Sequence, residues 1–178
     1  MRLEGSLVLA LVTGLIGLAD VQPVYSQMVD PPFGFYWAAG QKETEKVIDR
    51  NGARIVRKAI VQGREAWTIE GLIQPALHRT IVYFGAKKEL VEVELQYQHP
   101  NWDLVAYEKF LDGALRWLES KYGAPIVLAK EKKTHEGVTQ TIVGYEWRNV
   151  SGSIQLFFFS AERNSRVYRS VSLNYRAG

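Results

Sequence analysis

The chain contains no cysteine, which excludes disulfides, thiol nucleophiles and thiolate zinc sites. It also excludes a lipoprotein anchor, because that needs an acylated cysteine at the cleavage point. Histidine is scarce: His78, His99 and His135 lie far apart in loop-like segments, with no His-x-His or His-x-x-x-His pair to ligate zinc. No G-x-S-x-G elbow is present, and the nearest serine–glycine run, Ser151-Gly152-Ser153, reads as a hairpin turn. No glycine-rich phosphate cradle follows a strand. Neither a cofactor nor a metal is expected, and a non-catalytic protein follows.

Long apolar runs are also absent, with one exception. Leu7 to Ala19 carries no charge. That is the length of a signal-peptide core and short of the roughly 20 residues that span a bilayer. Arg2 supplies positive charge before it, while Asp20, Gln22 and Pro23 end it. Cleavage is expected after Val24-Tyr25-Ser26 or after Gly17-Leu18-Ala19. An uncleaved anchor or a buried core helix are the alternatives. Residues 1–26 are thus read as a cleavable signal, with a periplasmic or secreted product and no membrane span after cleavage.

The formal charge is only +3, and the bases are mostly interleaved with acids, so nucleic acid is not an expected partner. The exception is the stretch from Glu162 to Arg176, with Arg163, Arg166, Arg169 and Arg176. It reads as a solvated strand pair, with anionic headgroups or an acidic protein as the functional alternatives. Glu92 and Glu94 share one strand face near Lys87 and Lys88 and are read as a solubility feature rather than an acid/base pair.

What is present is a pattern of helices and alternating strands. Residues 27–39 form a Pro- and aromatic-rich opening segment, and Gly40 to Asn51 a short helix stopped by Gly52. Strands follow over about 54–62, 65–74, 79–85 and 90–97. A longer helix starts at the Asp103 N-cap, with Leu104, Tyr107, Leu111, Leu115, Leu118 and Tyr122 as its stripe and Gly123 as its close. Trp117 beside that stripe is read as core. Strands return over about 125–133, 138–149, 153–160 and 166–176.

The two halves share landmarks. Gly52-Ala53-Arg54-Ile55-Val56 matches Gly123-Ala124-Pro125-Ile126-Val127, and Thr68-Ile69-Glu70-Gly71 matches Thr141-Ile142-Val143-Gly144. Equal intervals lead from Thr68 to Thr80 and from Thr141 to Ser153, and the closing strands end Leu95-Gln96-Tyr97 and Leu173-Asn174-Tyr175. The expected fold is therefore α+β, a tandem repeat of a helix packed on a four-stranded antiparallel sheet, with repeats over 40–98 and 99–178 that pair either edge to edge or sheet to sheet.

Gly40-Gln41-Lys42 with Val47-Ile48 and Gly52 resembles the opening of small bacterial envelope proteins of the outer-membrane-assembly lipoprotein type (the SmpA/OmlA family). The helix-and-sheet plan is similar to that of the β-lactamase inhibitor protein family. Both resemblances imply action by binding other proteins through an open sheet face. The lipid-bearing cysteine of the first family and the disulfide cysteines of the second are missing, so no functional residue carries over.

Strand alternation puts Phe157 and Phe159 opposite Ile154, Leu156 and Phe158, on one side with Tyr168 and Arg176. These four are the candidate binding residues, an aromatic surface with a basic rim. A partner repeat or a second copy of the chain is the other candidate cover for that side. The leading expectation is an envelope or secreted protein that docks a protein partner there. The alternative is a carrier of an apolar or lipid-like ligand held between helix and sheet, for which an apolar pocket at that place is the distinguishing sign.

Overall fold

A computed structural model describes residues 27–178; the signal-peptide expectation lies outside the described residues. Two helices and eight strands follow one another as α1 (Gln41–Arg50), β1 (Arg54–Val61), β2 (Arg64–Glu70), β3 (Leu77–Phe84), β4 (Leu90–Tyr97), α2 (Leu104–Tyr122), β5 (Ile126–His135), β6 (Val138–Asn149), β7 (Gly152–Arg163) and β8 (Arg166–Ala177).

The expected tandem of two helix-backed, four-stranded units is overturned. All eight strands form one antiparallel sheet, in the order β1-β2-β3-β4-β8-β7-β6-β5, and the molecule is mostly sheet. The reason lies at β4 and β8. Each ends a meander, so each would present a row of unpaired backbone donors and acceptors. Pairing them, from Glu92 opposite Arg176 to Tyr97 opposite Val171, satisfies both rows and makes the two strands central.

Register then builds two unlike faces. Trp67, Val82, Val93, Tyr175, Ile154 and Trp147 lie in one row across β2, β3, β4, β8, β7 and β6. All six are buried, in one cluster with Val47 and Ile48 of α1 and Tyr107, Leu111 and Leu118 of α2. Each large apolar side chain so buried contributes roughly 1.5–3 kcal/mol. The adjacent row on the other face is Ala66, Tyr83, Glu92, Arg176, Ser153 and Arg148. Both helices therefore cover the first face and leave the second to polar chemistry.

The helix ends are pinned as their sequences require. Asp103 accepts a hydrogen bond from the Ala106 N–H at 2.8 Å and caps α2. At the other end the Trp147 indole donates to the Gly123 carbonyl at 2.8 Å, fixing α2 to β6. The Asn51 amide donates to the Val47 and Phe33 carbonyls, tying the end of α1 to the opening segment. That segment is tied to the far hairpin in turn, because the Val29 N–H donates to Ser151 Oγ at 2.8 Å. Bulges interrupt both edge strands, at Ile55–Arg57 in β1 and at Val127–Ala129 in β5. Among the described residues no helix is long and apolar enough to cross a membrane.

Candidate ligand cavity

Helix α2 carries two apolar stripes. Tyr107, Leu111 and Leu118 recur at helical spacing and are buried in the core. Rotated to one side of them, Ala106, Phe110, Gly113, Ala114 and Trp117 recur at the same spacing and line an open space beside the sheet. Small residues at the middle of this second stripe hold the helix surface back. A β-carbon built at Gly113 meets nothing within 4 Å. The space left is a cavity of about 680 Å³.

Its floor is the seam between β4 and β8. Leu95, Leu173 and Leu156 lie directly opposite one another on β4, β8 and β7, with Tyr97 and Tyr175 beside them. One end is an aromatic wall: Trp102 packs 5.1 Å from Phe110 and 5.1 Å edge-on to Tyr107, and Tyr97 lies 4.8 Å from Phe110. Pro32 of the opening segment and Gln74 of the β2–β3 connection complete the lining. Trp117 is 51% exposed, so the expectation that it belongs to the core is corrected: it stands at the rim.

Polar groups in the lining are few. Burial pushes the Tyr97 phenol up to about 12, against a smaller opposing effect of its hydrogen bond with Gln74. Burial, with Tyr97 and Tyr122 nearby, raises Tyr175 further. Both hydroxyls therefore stay protonated and able to donate at physiological pH. Lys109 is the one charged residue of the lining.

A second, more polar cavity of about 500 Å³ lies across Trp102, which lines both. His78, His99 and Arg169 meet there, so two of the three histidines expected to be far apart share one hollow, and His78 and His135 lie in β3 and β5 rather than in loops. Among the described residues no group of three or more metal-ligating side chains forms.

The four candidate binding residues all lie on the sheet face away from the helices, but not as one site. Phe159 and Tyr168 come together, with ring centroids 6.0 Å apart. Phe157 lies across Gly144, filling the space a β-carbon there would need. Arg176 sits at the other end of β8 from Tyr168, about 27 Å away along the strand. It is also engaged, donating to Glu92 at 3.3 Å.

Glu92 corrects a second expectation. It lies on a central strand and is only 4% exposed, clamped between Arg64 at 2.7 Å and Arg176. Glu146, also buried, is held in the same way by Arg148 at 2.6 Å and Gln155 at 2.7 Å. The Tyr83 hydroxyl donates to Glu94 at 2.9 Å, and burial together with that carboxylate raises its phenol well above the usual range. The middle of this face is a strip of mutually satisfied ions.

No sequence motif flagged the cavity. Its available signals were a glycine inside a helix and a tryptophan set off the main stripe. No protein-family model, no curated protein and no solved structure matches the chain.

Proposed function

We propose that this protein binds an apolar, lipid-like ligand between α2 and the β4–β8 seam, acting non-catalytically outside the cytoplasm. The cavity carries the proposal. Its volume of about 680 Å³ falls within the roughly 300–1,000 Å³ of small-molecule sites, and its walls are aromatic and aliphatic with few polar groups. The half-exposed Trp117 at the rim suits a ligand that enters from water. Location outside the cytoplasm rests on the Leu7–Ala19 run and on the resemblance to envelope proteins.

Occlusion tests it. Gly113 is mid-helix, where glycine is the poorest ordinary helix former, so Gly113→Leu should raise the Tm while filling the cavity. The neutral fluorescent probe phenylnaphthylamine, titrated into protein purified after expression with its native amino terminus, should bind with enhanced emission. Gly113→Leu should weaken that binding about tenfold, a loss of about 1.4 kcal/mol, and Gly113→Trp should weaken it more. Undiminished binding by both folded variants, or no binding by the wild type, would overturn the proposal.

A second reading is favoured by one observation. Phe159 and the 48% exposed Tyr168 form an aromatic pair on the face away from the helices, a suitable anchor for a protein partner. On that reading Phe159→Ala/Tyr168→Ala abolishes crosslinked capture of an envelope protein and leaves probe binding intact. Capture that survives the double substitution rules this face out.

A further inference from the structure

Resting on the reading of the cavity as a ligand site, we infer that its ligand is an anionic single-chain amphiphile, its chain along Phe110, Ala114 and Leu173 and its headgroup at Lys109. Lys109 is exposed on α2 and lines an otherwise uncharged cavity, so its ammonium group marks the water-facing end. Among the described residues it forms no ion pair, although Glu108 and Asp112 are close to it in sequence. No carboxylate lines the cavity.

The other polar groups are of matching character. The Gln74 amide and the hydroxyls of Tyr97 and Tyr175 can each donate a hydrogen bond. A cation beside a low-dielectric cavity attracts an anion more strongly than the same cation in bulk water. An anionic head on one apolar chain matches a single ammonium beside one apolar hollow. A cationic head would meet repulsion, and a neutral head would gain no charge attraction from the ammonium.

Dodecanoate, dodecanol and dodecyltrimethylammonium separate these cases, with binding followed through the fluorescence of Trp102 and Trp117 below micelle-forming concentrations. Dodecanoate should bind about tenfold more tightly than dodecanol, and the cationic probe least tightly of the three. Lys109→Gln should bring dodecanoate down to the affinity of dodecanol while leaving dodecanol unchanged. Lys46→Gln, which removes a charge from α1 outside the lining, should alter neither. Equal binding of the probes, or an unchanged preference in Lys109→Gln, overturns the anionic assignment and leaves the cavity reading standing. Failure of every probe overturns both.

Discussion

Raising the pH from about 10 to about 12 should unfold the protein cooperatively. Three buried tyrosines, Tyr83, Tyr97 and Tyr175, hold their protons in the fold well past the ordinary phenol value of 10.0. The unfolded chain releases those protons near pH 10, so above that point it binds fewer protons than the native state. Stability is therefore complete below pH 10 and falls as the pH rises towards the folded values, the Tyr97 contribution being lost by about 12. Each such group contributes a slope of about 1.4 kcal/mol per pH unit, so three approach about 4. Across the two pH units that is a loss of up to about 8 kcal/mol, comparable with the whole stability of a typical domain, about 5–15 kcal/mol. Circular dichroism and phenolate absorbance, recorded together, check this. The late-titrating tyrosines should ionise only as the sheet signal disappears, and Tyr97→Phe should flatten the stability slope between pH 10 and 12. Ionisation of Tyr83, Tyr97 and Tyr175 near pH 10 with the fold intact would contradict it.

Gly152→Ala should be the most damaging small substitution, costing about 2–4 kcal/mol. Gly152 opens β7 with φ at +149°, a conformation that L side chains rarely adopt. An added β-carbon would stand 2.1 Å from the carbonyl oxygen of Arg176, which is backbone and cannot swing aside. The damage would spread through the hairpin. Ser151 accepts from Val29, and the Asn149 amide donates to the Gln27 carbonyl, so the opening segment is fastened to this turn. Val29 is itself almost wholly buried and accepts from the Trp37 indole at 2.6 Å. A Tm loss of about 5–15 °C is expected. Gly137→Ala, in the open β5–β6 turn, should cost only about 1 kcal/mol. Equal effects of the two substitutions would show that the contact with Arg176 is not what constrains Gly152.

Both helices and all eight strands were legible in the sequence to within a few residues, because caps, turn glycines and alternation are local signals. Asp103 and Gly123 bracket α2 as expected, and Val93, Leu95 and Tyr97 share a buried face. The joining of strands was not legible. Alternation tells which side a residue faces and nothing about which strand lies beside it, so β4 and β8 read equally well as strands of separate sheets. The same gap made Glu92 look like a solvent-facing charge, since Arg64 of β2 and Arg176 of β8 reach it only once β2, β3, β4 and β8 are side by side. The cavity was hidden for a different reason. Apolar periodicity finds residues large enough to fill a core, and the wall of this hollow is set by Ala106, Gly113 and Ala114, which leave the core unfilled. Trp117 was assigned to the core on size, although its place off the Leu111–Leu118 line already separated it from that stripe.

The position of β8 has a kinetic consequence. It is the last strand in chain order, yet it lies near the middle of the sheet, and its partner Glu92 is 84 residues away from Arg176. A nascent chain still short of β8 has neither the cavity floor nor the central ladder, and β4 and β7 each wait with an open edge. Closure over so long a loop is slow, because the entropy of bringing the ends together is lost before any contact repays it. The sheet therefore stays open at its centre until β8 has been made, and its two meanders join only in that last step.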